Sequence, residues 1–236
     1  MGKFVDALKK DIRFHEGLKS CMNCGVCTAI CPAASVYNYD PRMIVNIVQT
    51  HDEKKIEELL KDDLIWYCGQ CMSCKTRCPR GNTPGFIIMA LRQLSQDTGM
   101  FAESEKGRQQ LAIKRIIGHN ILQIGYCVYP DVIVPEKHVE QGPVWDWTYK
   151  NSERIFPLLG GNYKGKGSGA LRKIEDSDLA ELKNIFEITG ALKRFEKLEK
   201  YSSVKAAEFG MELTDDNESE YMKHVSEFNS NKHFKE

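Results

Sequence analysis

Cys21-Met-Asn-Cys24-Gly-Val-Cys27-Thr-Ala-Ile-Cys31-Pro32 and Cys68-Gly-Gln-Cys71-Met-Ser-Cys74-Lys-Thr-Arg-Cys78-Pro79 are two copies of one pattern. Eight of the nine cysteines fall in these two runs. Each reads C-x-x-C-x-x-C-x-x-x-C-P, the run that binds cubane iron–sulfur clusters. Three thiolates two residues apart wrap a tight loop around three irons of one cube, and the fourth cysteine leads away from it. Pro32 and Pro79 fix φ and remove a backbone donor just after that fourth cysteine. Gly25 and Gly69 are expected to let the backbone approach the inorganic core. The loop amides then point at cluster sulfurs, where such hydrogen bonds help to set the potential. Electron transfer is the leading reading.

In two-cluster proteins of this pattern the fourth cysteine ligates the other cluster. By that rule the first [4Fe–4S] cluster takes Cys21, Cys24, Cys27 and Cys78. The second takes Cys68, Cys71, Cys74 and Cys31. Three plainer readings compete. A disulfide framework suits a small secreted domain, but the start MGKFVDALKKDIRF has no apolar signal segment. Structural zinc pairs one C-x-x-C with a distant ligand pair, and a third cysteine at the same spacing is foreign to it. Chance does not duplicate four spacings. A three-iron cluster would lack a ligand, and none is missing.

The chain has 236 residues and formal net charge zero. That suits one or two small domains and gives no basic excess for nucleic acid. No run of about 18 apolar residues is present, so no transmembrane helix is expected. Eight thiolates meant for clusters need a reducing compartment, so the expected location is cytoplasmic, with membrane association only through partners.

The scaffold reads as all-α. Residues 2–14 have a helical stripe of Phe4, Val5, Leu8 and Ile12. Asp40-Pro41 starts a helix carrying Met43, Ile44, Ile47 and Val48. A second helix follows with Ile56, Leu59 and Leu60. Thr83 and Pro84 open a helix to about residue 97, ended near Gly99. Another is expected over about 103–123, with Leu111, Ile113, Ile116, Ile117 and Ile121. Residues 1–124 thus form the cluster domain. Residues 125–175 read as an irregular arm with Pro130, Pro135, Pro143, Pro157 and a glycine-rich stretch from Gly160 to Gly169. Its Trp145, Trp147, Tyr149, Ile155 and Phe156 pack either on a partner chain or into the domain's own core. A helical segment over 176–210 starts at Asp176-Ser177-Asp178 and is punctuated by Gly190. The polar tail, 211–236, is expected to be loosely held.

Other signals are weaker. Gly160-x-x-x-x-Gly165-Lys166 imitates a P-loop, but Gly167 stands where Ser or Thr would bind magnesium. Cys127 reads as a buried structural thiol. His15, His51, His119, His138, His224 and His233 have no metal spacing, and His15 reads as a surface residue. No catalytic triad, carboxylate pair or flavin fingerprint emerges. Lys75, Arg77 and Arg80 beside the second motif would raise its cluster's potential. The first motif carries no charge from Met22 to Ala34, so the second cluster is expected to have the higher potential. Side chains turned to solvent would shrink that effect.

Two cubane motifs on helices resemble the alpha-helical ferredoxin domain. Leu64-Ile65-Trp66-Tyr67-Cys68, then Cys71, Cys74, Cys78-Pro79-Arg80, Leu91-Arg92 and Gly99, resemble the C subunit of heterodisulfide reductase. The first motif with Tyr39-Asp40-Pro41-Arg42 fits as well. The resemblance covers about residues 5–100. The greater length beyond it is similar to the heterodisulfide-reductase-like complexes of sulfur oxidisers. It implies two [4Fe–4S] clusters and a relay between an A subunit (FAD, iron–sulfur) and a B subunit. In that B subunit, CCG repeats hold noncubane clusters and the disulfide-active site. This chain has no CCG repeat, so the disulfide chemistry would belong to a separate chain. The alternatives are an iron–sulfur subunit of another flavin dehydrogenase (glycolate, glycerol-3-phosphate or succinate/fumarate type) and a zinc-stapled binding module. The plant-type C-x4-C-x2-C run is absent, which argues against the three-cluster succinate/fumarate form.

Overall fold

Asp11, Asp40, Asp52 and Asp62 each sit just before a helical turn, and each carboxylate accepts from backbone N–H groups of that turn. Such caps satisfy donors that have no partner inside the helix, at about 1 kcal/mol each. They punctuate the first hundred residues into short helices: α1 (Lys3–Leu8), α2 (Ile12–Gly17), α3 (Val26–Ala29), α4 (Pro32–Val36), α5 (Pro41–Gln49), α6 (Glu53–Leu60), a 3₁₀ turn (Asp63–Trp66), α7 (Ser73–Arg77) and α8 (Pro84–Thr98). The computed structural model describes residues 2–138, 141–227, 230 and 233, and no β-strand occurs among them. The fold is all-α, as expected. No helix among the described residues is long and apolar enough to cross a membrane.

Contacts divide the chain into two compact units, Met1–Ala112 with Arg194–Glu236, and Ile113–Lys193. The sequence reading draws its lines elsewhere, at 124, 175 and 210.

In the first unit α8 is the hub, packing against α1, α2, α5, α6, the 3₁₀ turn and α7. Its Ile87, Ile88 and Leu91 are fully buried with Ile44, Ile56, Leu60 and Ile65. Glu53, at the start of α6, accepts from the backbone N–H groups of Phe4 and Val5 at 2.9 and 2.8 Å, fixing α1 to it. The capping at Asp40 and the Pro84 start are as expected, although the Thr83 side chain makes no cap bond.

Residues 2–14 are two helices instead of one. Asp11 interrupts them and caps α2, so Ile12 turns outward, 69% exposed, while Phe14 goes inside. The expected helix over 103–123 is likewise split into α9 (Glu105–Arg108), α10 (Gln110–Ile113), a π turn (Lys114–Gly118) and α11 (His119–Ile124). A π turn inserts an extra residue, so it rotates the apolar stripe. Leu111 is buried while Ile113 and Ile116 are exposed.

The second unit holds α12 (Gly142–Lys150), α13 (Ser152–Leu158) and α14 (Asp176–Ile188). The stretch read as irregular is thus partly helical. The Asp176 end of α14 has no side-chain cap bond. The first unit also takes most of α15 (Ala191–Glu208) and all of α16 (Glu220–Glu227). The tail is packed, not loose: Tyr221, Met222 and Val225 of α16 bury against Leu111 and Ala206. A polar helix with a narrow apolar stripe is easily read as disorder. Residues 228, 229, 231, 232 and 234–236 of the expected tail lie outside the described residues.

Leu91→Ala should lower the stability of the metal-loaded protein by about 2–5 kcal/mol. Ile12→Ala should change it by less than about 0.5 kcal/mol. Anaerobic denaturant midpoints check both, and equal losses would restore the single N-terminal helix.

Candidate metal centre

The two motifs meet through their helical turns, since α3 and α7 pack against each other. Their loops share a backbone conformation. Asn23 and Gln70 have φ of 61° and 54°, and Gly25 and Met72 have φ of 81° and 58°. These left-handed positions fall at equivalent places in the two copies. Glycine carries this freely in the first copy, while in the second the position belongs to Met72. Gly69 has no such φ, and a Cβ there would meet nothing within 4 Å. A close approach in the second copy comes from Gly85 on α8. A Cβ there would lie 3.0 Å from the Met72 sulfur and 3.8 Å from that of Cys74.

Asn82 ties the end of the second motif to the start of the first. It is buried. Its side-chain oxygen accepts from Lys19 N at 2.7 Å and Ser20 N at 3.3 Å, and its amide donates to Ser20 O at 3.0 Å. Its own backbone N–H points at the Cys78 sulfur, 3.3 Å away. Cys78 is thereby held beside Cys21. Asp40 does similar work from α5: it accepts from Thr28, next to Cys27, and pairs with Arg42 at 2.8 Å.

One cavity is lined by Cys21, Cys24, Cys27 and Cys78 together, with Arg42, Val45, Arg80, Asn82 and Pro84 among its other walls. The four cysteines ring it; among the described residues no three His, Cys, Asp or Glu side chains form a group that could hold a single metal ion. Cys24 and Cys71, the second cysteine of each run, are exposed. In the second set, burial raises the Tyr39 hydroxyl well above its usual range, with Cys68 and Cys31 adding to the rise, and burial raises Cys74, with Cys68 and Cys71 adding to it.

Burial pushes the Cys27 thiol up to about 11, against hydrogen bonds from Thr28 that lower it. Burial also raises Cys74, while the Ser73 hydroxyl lowers Cys71. A metal bound here would displace the protons that burial holds on Cys27 and Cys74. The Tyr39 hydroxyl is buried with no hydrogen-bond partner, a loss of about 1–3 kcal/mol unless something accepts from it. The four cysteines lining one cavity and the orphaned hydroxyl of Tyr39 fit a bound cluster.

Several readings change here. Lys75, Arg77 and Arg80 are exposed, and Lys75 lies 5.7 Å over the Phe86 ring. Arg80 and Arg42 line the cavity of the first cysteine set. The first site is therefore bordered by charge as well. Cys127 is exposed, not buried. His15 is a surface residue hydrogen-bonded to Lys9 O at 2.6 Å. His233 is buried, with Nε2 2.8 Å from Glu105, and Nδ1 shares a hydrogen bond with the Tyr67 hydroxyl. Tyr67 in turn stacks on Tyr37 at 4.9 Å. Asn82 and His233 carry no motif, so sequence spacing gave no signal for them; Tyr39 and Arg92 lie in the stretches that resemble the C subunit, where the sequence marks no separate role for them.

A helical scaffold folding two cubane cysteine runs against each other defines a two-motif iron–sulfur protein of electron-transfer type. Residues 17–82 match the 4Fe–4S dicluster domain family. The chain is 35% identical over 158 residues to the C subunit of the ferredoxin:CoB-CoM heterodisulfide reductase of Methanosarcina acetivorans, covering 66% of this chain and 60% of that relative. It is 30% identical over 163 residues to the iron–sulfur C2 subunit of the CoB–CoM heterodisulfide reductase of Methanocaldococcus jannaschii, covering 67% and 78%. A second Methanosarcina acetivorans protein, the C subunit of the ferredoxin/F420H2-dependent CoB-CoM heterodisulfide reductase, is 30% identical over 61% of this chain and 83% of its own length. The chain belongs to the family of heterodisulfide reductase C subunits.

Asn82→Ala should cost about 1–3 kcal/mol by leaving buried backbone groups unpaired, read from denaturant midpoints. For Asp40, burial raises the carboxyl but hydrogen bonds from Thr28, Arg42 and Met43 outweigh it and hold it below the usual range. Its contribution is full above the ordinary aspartate value and is lost as pH falls through the lower folded value. Stability of Asp40→Asn should therefore fall less steeply than wild type below about pH 4, and parallel curves would remove Asp40 from the account.

Proposed function

We propose that this chain is the electron-relay subunit of a heterodisulfide-reductase-like complex acting in thiol–disulfide metabolism. It holds two [4Fe–4S] clusters, one on Cys21, Cys24, Cys27 and Cys78, the other on Cys68, Cys71, Cys74 and Cys31. The observation that carries this is the cavity whose walls unite three cysteines of the first run with the last of the second. When bound, the clusters supply one-electron storage. The protein's part is to hold the thiolates, to fix the runs together through Asn82 and Asp40, and to bring each site to the surface at Cys24 and Cys71. Two surface-reaching sites back to back suit a relay, with a flavin-bearing A subunit on one side and a CCG-repeat B subunit on the other. Eight thiolates favour the reducing cytoplasm as the place of the complex.

The second unit supports a docking role. None of the buried hydrophobic clusters among the described residues draws on it. The Trp145 indole donates to Ile133 O at 2.8 Å and Phe156 meets Tyr163, so part of the arm's aromatic surface is used locally. Val144, Trp147, Leu158 and Leu159 stay 55–77% exposed. We infer that one of the partner proteins packs over them.

EPR of the anaerobically purified complex tests the ligand sets. Cys24→Ser and Cys78→Ser should disturb the same cluster signal, and Cys71→Ser and Cys31→Ser the other. Cys78→Ser disturbing the Cys71 signal instead would contradict the crossed assignment. Trp147→Glu should leave the iron content unchanged and reduce co-purification of the partner proteins at least tenfold, whereas unchanged recovery would remove the arm from the interface.

A further inference from the structure

Tyr39 packs in the main core edge-on to Tyr67, the residue that precedes Cys68 of the second cysteine set. The side chain is 4% exposed and its hydroxyl has no hydrogen-bond partner. The sulfurs that bear on it, Cys68 and Cys31, come from different runs. Both belong to the second cluster in the assignment above. The ring is held edge-on to Tyr67, centroids 6.1 Å apart at 88°, and packs in the main core. Asp40, the next residue, is fixed by its cap bonds. Tyr221 also has an unpaired buried hydroxyl, but the groups bearing on it are Arg108, Glu103 and Glu208. Sulfur is what sets Tyr39 apart.

Arg92 fixes the other half of this pair. Its Nε donates to Ile65 O at 2.6 Å and its Nη2 to Cys68 O at 2.7 Å. The guanidinium lies 5.5 Å over the Trp66 ring. Reaching across from α8, it clamps the backbone that carries Cys68.

We propose that Tyr39 donates a hydrogen bond to the Cys68 sulfur in the cluster-loaded protein and raises the reduction potential of the second cluster. Arg92 is the positioning residue that holds Cys68 against it. The inference rests on the ligand assignment under the proposed function. Reduction adds one negative charge, which is shared with the sulfurs. A donor bond to sulfur strengthens as that charge grows, so it favours the reduced state.

The test is an EPR-monitored redox titration of the anaerobic complex, wild type against Tyr39→Phe, which keeps the ring and deletes the donor. One of the two midpoints should fall by about tenfold in the reduction equilibrium, or about 59 mV for a one-electron couple. The other midpoint and the iron content should not change. Arg92→Lys should move the same midpoint downward. Placing 3-fluorotyrosine at position 39, a stronger donor of nearly the same shape, should move it upward; this decides the matter if the phenylalanine variant does not assemble. Unmoved midpoints in fully loaded Tyr39→Phe or fluorotyrosine protein overturn the inference and leave the ligand assignment standing. Wild-type complex with one cluster, or with zinc, overturns the assignment and the inference together.

Discussion

Everything in the first unit depends on two cysteine loops being held face to face. In the proposed assignment each run supplies three sulfurs to one site and a fourth to the other, so neither site is complete alone. The proposed crossing makes the two sites one cooperative object. The contact of α3 with α7 supplies the closeness. Asn82 supplies the register, by bonding the residues before Cys21 while its own N–H meets Cys78. The helix α8 then carries that arrangement into the core, with Gly85 under the Cys74 loop and Arg92 under Cys68.

The same constraint explains why the scaffold is made of short capped helices. A long helix cannot bend its backbone around a cube, whereas a single turn ending in a cysteine can. The runs therefore contain α3 and α7, of four and five residues, and left-handed residues stand just before them. Function follows from the same shortness: Cys24 and Cys71 lie at the outer edge of their loops and stay exposed. Charge is placed with equal economy. Arg42 and Arg80 border the first site, while the second is flanked by a phenol and a guanidinium committed to backbone carbonyls.

The fold class and the centre of the site were legible because cysteine spacing and helical periodicity are local signals. The starts at Asp40-Pro41 and Pro84 and the end at Gly99 were read from caps that act within four residues. The misreadings have two causes: a local cap that outweighs the apolar stripe, and tertiary contacts that override local pattern. Ile12 falls on the stripe of an ideal helix, but Asp11 breaks the helix and turns it out. The polar sequence of α16 hides Tyr221, Met222 and Val225, which become core only when Leu111 and Ala206 meet them. Tyr39 and Arg92 stand in stretches that carry the resemblance and His233 in none, but only the fold brings Arg92 to the Cys68 carbonyl, Tyr39 beside Tyr67 and His233 to the Tyr67 hydroxyl. The left-handed conformation of Gly25 recurs at Met72, the position that matches it in spacing, where the residue type gave no sign of it.

The central claim is that this chain carries two electron-storing cubes and not a structural metal. Iron and acid-labile sulfide analysis of the anaerobically purified complex, with EPR of the reduced sample, addresses it most directly. Two clusters of four irons predict about eight iron and eight sulfide per copy of this chain, after subtraction of partner clusters, with mutually coupled cubane signals. Zinc in place of iron, with no reducible signal, would contradict the account.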